Sequence, residues 1–381
     1  MNKIGIITLY HNNRNYGGLL QAYALQKEVE SMGYDCEVID YTQDQRIYKL
    51  ARIGKIGLKK TILRAREIAK TKSMYRANPT LKKNIELRNQ RFHEFETSIP
   101  HTRPVHDSGI ERIARNYSGL ICGSDQIWNP ETKSPVIYLD IKNYSGTKIS
   151  YAASLGREYL SNKERRYIAE HISSLDRISV REKTAQQLLQ PLVDKDISVV
   201  ADPTFLLEKE DWEKFAKKPK NVPNEYVFSF FLGFNSKVKK SIYERFHGKM
   251  PIVTIPHLQI GYKEEDDLYS DIQLYDIDSH EWVWLILNAK YVFTDSFHGT
   301  AFCVNLNREF LSFAKDSNGD KKTINSRLID LLSITGLLSR FLTSFSSEAL
   351  CETIDWESVN KKLTEFREYS HSYLEEAIKT V

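Results

Sequence analysis

The stretch Tyr291–Cys303, YVFTDSFHGTAFC, decides the fold that the sequence predicts. Its first four residues form an aromatic and β-branched run of the kind that buried parallel strands show. Gly299 permits a tight turn, and Thr300 is expected to cap the helix that follows. His298 then lies at the carboxyl end of a strand, beside a helix N-terminus. Open α/β sheets bind ligands at this place, because free N–H groups and the helix dipole favour an anion there.

The position of His298 leaves two interpretations open. An imidazole beside a phosphate is a candidate acid or base. The other interpretation is a core histidine that closes the turn between strand and helix. We expect the functional role, since ligands collect at this edge of such sheets.

Length and composition indicate the class of protein. A chain of 381 residues suits two domains, and 41% hydrophobic with 27% charged residues describes a soluble globular protein. Its four cysteines are far apart and form no CxxC pair, so we expect neither a zinc site nor a disulfide framework. The N-terminus, MNKIGIITLYHNN, is too short in apolar residues for a signal peptide, and no later segment is apolar enough to span a bilayer. These features predict a cytoplasmic protein without a metal.

The basic residues concentrate between positions 46 and 95, although the net charge of the whole chain is only +4. This segment holds fifteen Lys and Arg residues against three Glu residues. It either contacts anionic lipid headgroups or is a solvated helical insertion, and the second interpretation is the commoner fate of a charge run. Because no aromatic stacking pattern or basic recognition helix accompanies it, we predict no nucleic-acid partner.

The remaining chain repeats a unit of strand, polar or glycine turn, and helix. Lys3 to Leu9 is an apolar strand, Gly17 and Gly18 precede a helix that ends near Gly33, and a second strand follows. The turn lacks GxGxxG, so a dinucleotide site is not predicted. Such repeats indicate a doubly wound α/β sheet.

The unit recurs on both sides of a lysine- and proline-rich crossing at residues 203–223. We therefore predict an N-terminal Rossmann-like domain at residues 1–204, carrying the basic insertion 46–95, and a second domain at residues 205–355. The helix of residues 356–381 is expected to pack back on the first domain, and a cleft is expected between the two domains.

Six blocks in order resemble the polysaccharide pyruvyl transferase family: NYGGLLQAYALQ (15–26), ICGSDQIWNP (121–130), SYAASLG (150–156), SVREKTAQQLL (179–189), VVADPTFLL (199–207) and TDSFHGTAF (294–302). The resemblance implies two Rossmann-like domains in a GT-B-like arrangement. It also implies phosphoenolpyruvate as donor and a sugar of a bacterial cell-surface polysaccharide, or its precursor, as acceptor. Family members attach pyruvate as a cyclic ketal across two hydroxyls and release phosphate.

The resemblance also implies donor contacts. The family's histidine before glycine falls on His298, and its arginine after the mid-chain strand falls on Arg181. Some members have an arginine two residues before that histidine, where this chain has Ser296. Either another cation, Arg327 or Lys315, replaces that arginine, or the helix N-terminus after Gly299 carries more of the phosphate charge. Thr300, in the same turn, completes the predicted donor side.

Each group has a chemical task in this scheme. The planar fork of Arg181 suits a carboxylate or phosphate, and His298 is placed to protonate the methylene carbon of phosphoenolpyruvate. The scheme needs no cofactor besides phosphoenolpyruvate as co-substrate. Asp125 is the preferred base or hydroxyl anchor for the acceptor, or else a helix cap. Its neighbours Ser124 and Gln126 share the acceptor side.

Asn15, Gly17 and Gly18 are expected to line the same side of the cleft. Trp128 is expected to pack in the core rather than stack on a sugar. Asp202, before a proline, is expected to be a turn residue and not a catalyst.

Two rival functions fit the same sequence. One is a GT-B glycosyltransferase with a nucleotide-sugar donor, and the other is a non-catalytic scaffold that binds glycan. The acceptor sugar, the bridged hydroxyls and the oligomeric state stay open. A lipid-linked acceptor would give the basic segment a role at the inner membrane surface.

Overall fold

A computed structural model describes residues 3–44, 73, 75–256, 264–315 and 325–381. Elements are numbered over these residues. The strands are β1 (Lys3–Ile7), β2 (Asp35–Val38), β3 (Gly119–Cys122), β4 (Thr147–Ser150), β5 (Ile178–Val180), β6 (Ile197–Val199), β7 (Val227–Phe230), β8 (Ile252–Thr254), β9 (Ile272–Gln273), β10 (Tyr291–Thr294), β11 (Phe310–Phe313) and β12 (Phe341–Leu342). The α-helices are α1 (Tyr16–Ser31), α2 (Pro79–Ser98), α3 (Asp107–Ala114), α4 (Asn162–Ile172), α5 (Lys183–Leu189), α6 (Lys209–Phe215), α7 (Ser236–Phe246), α8 (Glu264–Leu268), α9 (Ser279–Asn288), α10 (Phe297–Asn305), α11 (Ser326–Thr335) and α12 (Trp356–Ile378).

The first half of the chain builds a parallel sheet in the order β2-β1-β3-β4. Strands β5 and β6 pair with each other and join the edge at β4 through bridges between Ile149 and Arg177 and between Ala153 and Val180. Since β1 leads to β2 on one side and to β3 on the other, the direction of winding reverses between β1 and β3. Side chains after these two strands therefore meet at the carboxyl edge, where such sheets bind ligands.

The second half forms a six-stranded parallel sheet in the order β12-β11-β10-β7-β8-β9. Strand β10 lies between β11 and β7, and its last three residues are buried because helices cover both faces of an all-parallel sheet. Here winding reverses between β7 and β10. The stretch that follows β10 thus stands at a second switch point.

One buried apolar cluster runs from the first sheet through α1 into the second. Tyr16 stacks on Trp282 with ring centroids 5.5 Å apart, and its hydroxyl donates to the Ile277 carbonyl at 2.9 Å. Phe92 of α2 lies 4.6 Å from the Tyr16 ring. The two sheets therefore share packing around α1, with α2 beside it.

Helix α2 corrects the expectation of a solvated insertion for the part of the basic segment that the structure describes. Arg88 is buried and donates from its guanidinium to the carbonyls of Tyr275, Pro256 and Leu274 in the second half of the chain. The helix therefore bridges the two halves. Residues 46–72 and 74 of the segment lie outside the described residues.

The final helix, α12, contacts the first sheet. The Ser370 hydroxyl accepts a hydrogen bond from the Ala201 N–H at 2.8 Å, and the Tyr373 hydroxyl donates to the Ser150 carbonyl at 3.1 Å. The hydrophobic face of α12 therefore covers the first sheet. Across the described ranges, no helix is both long and apolar enough to cross a membrane.

Candidate active site

The helix that carries His298 begins at Phe297. Ser296 is its N-cap residue, since the hydroxyl accepts a hydrogen bond from the Gly299 N–H at 3.2 Å. The expectation that Thr300 caps this helix is wrong, because the Thr300 N–H already donates to the Ser296 carbonyl within the first turn. His298 is therefore the second helical residue and projects from the first turn of α10.

The side chain of Thr300 faces the core and not the cleft. Its hydroxyl lies 2.5 Å from the Ser312 hydroxyl, and both residues are fully buried. Asp295 fixes the start of the turn, because its carboxylate accepts from the N–H groups of Leu232 and Gly233 at 2.6 and 2.7 Å. These bonds hold the loop after β10 against the loop after β7.

The His298 imidazole is 5% exposed and lies against the backbone of Gly17 at the start of α1. A Cβ atom on Gly17 would overlap the ring, so glycine at this position makes room for it. Nε2 of His298 lies 3.6 Å from Oδ2 of Asp202 and has no hydrogen-bond partner among the described residues. A buried ring nitrogen in this condition can exchange a proton with a bound ligand.

Asp202 is both the predicted turn residue and the centre of the site. Oδ1 accepts from the N–H and hydroxyl of Thr204 at 3.0 and 2.7 Å, which closes the turn after β6. Oδ2 accepts from Nη1 of Arg181 at 2.6 Å and from the Ser124 hydroxyl at 3.3 Å, while facing His298. Oδ2 of Asp202 thus links the turns after β3 and β5 in the first sheet to helix α10 of the second sheet.

Arg181 follows β5 and is 5% exposed. Its guanidinium also lies 3.7 Å from the carboxylate of Asp125 and 3.8 Å from that of Glu182. Burial opposes its charge, but the carboxylates, with Asp202 the strongest, outweigh burial and raise the pKa of Arg181. Nε and Nη2 make no hydrogen bond within the described part of the chain, although the side chain stacks on Phe297 at 4.1 Å.

Arg327, in the first turn of α11, brings a second guanidinium to the same ring. Its centre lies 5.8 Å from the Phe297 ring. With the Gln126 amide oriented to satisfy both partners, its oxygen accepts from Nη1 and Nη2 of Arg327 at 3.1 and 3.2 Å. Burial, and then the charge of Arg181, lower the pKa of Arg327. Of the two cations considered for the missing arginine, the structure brings Arg327 to the site, whereas Lys315 is exposed.

Glu182 is a further carboxyl group of the site. Oε1 accepts from the Ser154 hydroxyl at 2.7 Å and from the Leu155 N–H at 3.2 Å. Burial raises its pKa despite the charges of Arg181 and Arg327. The sequence reasoning missed Glu182, and it assigned Asp202 only a turn. Glu182 follows the buried strand β5 and Asp202 follows the partly buried strand β6, and this placement after strands was the available signal.

The turn after β3, residues 123–126, contacts Arg181 and Arg327 and does not form a separate acceptor wall of the cleft. Ser124 is fully buried, with its N–H donating to the Gln21 side chain at 3.0 Å. Asp125 has a positive φ of 53° and no helix begins directly after it, since the next helical segment starts at Pro135, so the alternative of a helix cap is wrong. Its carboxylate is 13% exposed beside Arg181. Gln126 contacts Arg327 as described above.

The remaining predicted residues shape the start of α1 and the core. Asn15 is the N-cap of α1, accepting from the Gly18 N–H at 3.3 Å, and Gly18 packs against Asn13. Trp128 is fully buried and donates to the Ile137 carbonyl at 2.9 Å, which confirms core packing. Asn15 and Gly18 therefore position Gly17 beside the histidine.

The charges of the cluster nearly balance. Two guanidinium groups face three carboxyl groups, and the pKa of Glu182 is already raised by burial. An anion that binds to the arginines adds negative charge, so it favours protonation of Glu182. The site is thus arranged to bind an anion together with protons. In the ranges that the structure covers, no group of three or more His, Cys, Asp or Glu side chains could hold a metal.

Solved structures with similar folds include the UDP-GlcNAc 2-epimerase of Methanocaldococcus jannaschii, with a TM-score of 0.52, 12% identity and coverage of 94% of this chain and 92% of that chain. The UDP-N-acetylglucosamine 2-epimerase of Rickettsia bellii is similar too, with a TM-score of 0.50, 12% identity and coverage of 98% of both chains. At this identity the likeness shows the fold alone. It confirms the predicted GT-B-like arrangement of two Rossmann-like domains.

No curated protein matches the chain. The sequence pattern of polysaccharide pyruvyl transferases matches residues 15–317, which include Asn15, Asp125, Arg181, Asp202 and His298 and extend over most of the chain. The protein therefore belongs to the polysaccharide pyruvyl transferase family, whose members are transferases that act on polysaccharide.

Proposed function

We propose that the protein transfers the pyruvyl group of phosphoenolpyruvate to two hydroxyls of a sugar in a cell-surface polysaccharide or its precursor. The observation that carries the proposal is the convergence of Arg181, Arg327 and His298 at one ring, Phe297. Each presents a buried nitrogen that has no hydrogen-bond partner in the described part of the chain. Phosphoenolpyruvate offers two anionic groups and a carbon that accepts a proton, which matches this set.

The two arginines would hold the carboxylate and the phosphate. Charge-assisted bonds from a guanidinium fork are stronger than neutral ones and fix the orientation of the anion. Amides in the first turn of α10 add a favourable helix dipole, because the helix points its N-terminus at the site. In this arrangement Ser296 contributes by capping that helix.

His298 would then act as general acid. It gives a proton to the methylene carbon of phosphoenolpyruvate, and the adjacent carbon gains oxocarbenium character. A sugar hydroxyl attacks that carbon, the bond from carbon to the phosphate oxygen breaks, and a second hydroxyl closes the ketal. Of the two hydroxyl protons, one restores His298 and the other leaves with phosphate. The scheme uses no metal, and phosphoenolpyruvate is a co-substrate.

Asp202 and Asp125 have different roles in this scheme. Asp202 faces Nε2 of His298 at 3.6 Å and favours the imidazolium form, so it is a positioning residue. Asp125 is more exposed and is the candidate base for an acceptor hydroxyl. We place the reaction in the bacterial cytoplasm, where phosphoenolpyruvate is made. A lipid-linked acceptor would bring residues 46–95 to anionic lipid.

Calorimetric titration of the purified protein with phosphoenolpyruvate, beside UDP-glucose and other nucleotide sugars, tests the proposal. We expect saturable binding of phosphoenolpyruvate that is about 10- to 100-fold weaker in Arg327→Ala, because a hydrogen bond to a charged group contributes about 1.5–3 kcal/mol. Arg181→Lys is the companion variant, since it keeps the charge and removes the fork. Arg181→Ala would leave three buried carboxyl groups without their cation.

Arg166→Ala, on the exposed side of α4, is the matched control and should bind as the wild type does. Binding of a nucleotide sugar instead of phosphoenolpyruvate would identify a glycosyltransferase. A protein that binds neither, and whose function in glycan synthesis survives substitution of His298, would be the non-catalytic scaffold.

A further inference from the structure

A second feature of the cleft is a cavity of about 190 Å³ at the start of α1. We name it the aromatic cavity. Its lining includes Asn15, Tyr16, Asn89, Phe92, Phe230 and Pro256. The lining comes from the start of α1, from one face of α2 and from the carboxyl ends of β7 and β8. None of the residues considered for the acceptor, except Asn15, belongs to this set.

The aromatic cavity adjoins the reacting groups. Phe230 pairs in register with Thr294, at the end of the strand that leads to His298. Asn15 and Tyr16 immediately precede Gly17, whose backbone touches the His298 ring. Because neighbouring strands lie about 4.8 Å apart, a ligand in the cavity would sit one strand away from the histidine.

The chemistry of the lining suits a sugar. Tyr16, Phe92 and Phe230 form an aromatic floor, with the Tyr16 ring 4.6 Å from Phe92 and 6.3 Å from Phe230. The amides of Asn15 and Asn89 lie around it. A sugar ring has an apolar C–H face that packs on aromatic rings and hydroxyls that bond to amides.

The wall contributed by α2 is held rigidly. The guanidinium of Arg88 donates to three carbonyls, including that of Pro256, which also lines the cavity. Arg14 donates to the Asn89 carbonyl at 2.6 Å, which links the loop before α1 to the same helix. A preformed wall lowers the entropic cost of fixing a ligand.

From these observations we infer that the aromatic cavity binds one sugar unit of the acceptor and presents its hydroxyls toward His298. The volume favours a single sugar over a nucleotide sugar, since pockets for larger ligands occupy roughly 300–1,000 Å³. The inference rests on the proposed function, because it assigns the second substrate of the same reaction. It places the sugar ring of the acceptor at the junction of α1, α2 and β7, and leaves to Asp125 only the contact with a reacting hydroxyl.

The test is a cavity-filling substitution, Asn89→Trp, with Gln90→Trp as matched control. Both residues are exposed on α2, but only Asn89 lines the cavity. The probes are methyl glycosides of glucose, galactose, mannose and N-acetylglucosamine. Saturation-transfer NMR measures their binding with and without phosphoenolpyruvate. We expect at least one probe to bind the wild type and Gln90→Trp, and to bind Asn89→Trp about tenfold more weakly or not at all. Phosphoenolpyruvate should bind all three proteins equally by calorimetry.

Three results would overturn the inference: sugar binding that survives unchanged in Asn89→Trp, no binding of any probe to the wild type, or UDP binding that Asn89→Trp abolishes. The two proposals can fail separately. Sugar binding lost in Asn89→Trp, in a protein that never binds phosphoenolpyruvate, would support the cavity and refute pyruvyl transfer. Equal unfolding midpoints of Asn89→Trp and Gln90→Trp exclude misfolding as the cause.

Discussion

At the scale of single residues, Asp202 couples the arginine and the histidine of the site. Burial opposes ionisation of its carboxyl group, but the facing His298, 3.6 Å away, and the charge and hydrogen bond of Arg181 outweigh burial and lower the pKa of Asp202. The group is therefore a carboxylate throughout the neutral range. It is the counter-charge that faces Nε2 of His298, and it also competes with any anionic ligand for Arg181.

These two effects predict opposite consequences for binding and turnover in Asp202→Asn. Without the carboxylate the site is more positive, so phosphoenolpyruvate should bind at least as tightly as to the wild type. The imidazolium form of His298 loses its counter-charge, so kcat should fall about 100-fold or more. Calorimetry and phosphate release measure the two quantities. Parallel loss of affinity and turnover would instead indicate a purely structural residue.

Asp202→Asn should also change how stability depends on pH. The pKa of Asp202 is lower in the folded state than in the unfolded chain, where it is near 3.9, so the carboxylate stabilises the fold at a pH above that value. This stabilisation is lost as the pH falls through the pKa of the folded state. The variant should thus be less stable than the wild type at pH 7, with a difference that shrinks below about pH 4. Urea unfolding at several pH values measures it. Asp194→Asn, at an exposed position, is the control substitution.

Gly17 is a second residue whose effect can be isolated. In Gly17→Ala the new methyl group overlaps the His298 ring, so we expect a loss of about 1–3 kcal/mol in unfolding free energy and a large loss of turnover. His298→Ala removes the ring atoms but keeps its own Cβ, which would lie 2.5 Å from the new methyl group, so in that background the same glycine substitution should cost less without becoming neutral. A double-mutant cycle of unfolding free energies measures the coupling.

The control for Gly17 is Gly109→Ala in α3. A Cβ there lies 3.4 Å from the nearest atom, in Val105, and alanine favours a helix by up to about 1 kcal/mol. We expect this variant to be as stable as the wild type or slightly more stable. Additive effects of the substitutions at Gly17 and His298 would contradict the contact between them.

At the scale of elements, α2 joins the halves of the molecule. Its one buried face carries Phe92 and Phe95 into the shared core, and Arg88 satisfies carbonyls that follow β8 and β9. Burial lowers the pKa of Arg88, although nearby ionisable groups, Tyr16 first among them, favour its charge. The energetic value of the side chain therefore lies in its directed hydrogen bonds across the junction.

Arg88→Met keeps the apolar stem and removes those donors. Three buried carbonyls then lose a partner, so we expect the unfolding free energy to fall by about 2–4 kcal/mol. Lys83→Met, at an exposed position of the same helix, should change it by less than about 0.5 kcal/mol. Urea unfolding followed by tryptophan fluorescence provides the comparison. If both variants were equally stable, α2 would not be the bridge that its contacts indicate.

The elements show how far the sequence can be interpreted. Alternation of apolar strands and amphipathic helices predicted β10 with the bounds observed and α12 from its first residue, because these elements follow local hydrophobic pattern. The cap of α10 was misplaced by four residues, since Ser296 and Thr300 both suit a cap and only the start of the helix decides between them. Long-range pairings such as Asp202 with His298 leave no local pattern. They arise from packing of α10 against the turn after β6.

The burial of α2 could not be predicted for the same reason. Its composition is that of an exposed helix, and its partners are carbonyl groups almost two hundred positions away in the chain. Arg327 was one of several candidate cations until the fold placed it at the Phe297 ring. The sequence pattern thus predicted the two sheets and the order of their strands and helices along the chain. Which residues form the site depends instead on how the two sheets face each other.

At the scale of the whole molecule, the site is assembled from both halves of the chain. Arg181 belongs to the first sheet, whereas His298 and Arg327 belong to helices of the second. The helix that follows Arg181 and the helix that carries Arg327 are bonded directly, since the N–H and hydroxyl of Thr184 in α5 both donate to Asp330 of α11 at 3.1 Å. A ligand held by both arginines would therefore strengthen a contact that already exists between the two domains.

This arrangement predicts how phosphoenolpyruvate changes hydrogen exchange of the backbone. Binding that bridges the halves should slow exchange together at residues 178–186, 297–303 and 326–332, because opening either side would release the ligand. Strand β2, remote from the site, should exchange as in the free protein. In Arg327→Ala the slowing of hydrogen exchange should weaken in both halves of the molecule at the same ligand concentration, although the substitution lies in only one half. Slowing confined to one half would mean that the ligand contacts a single domain, and the proposed pairing of Arg181 with Arg327 around the donor would then be wrong.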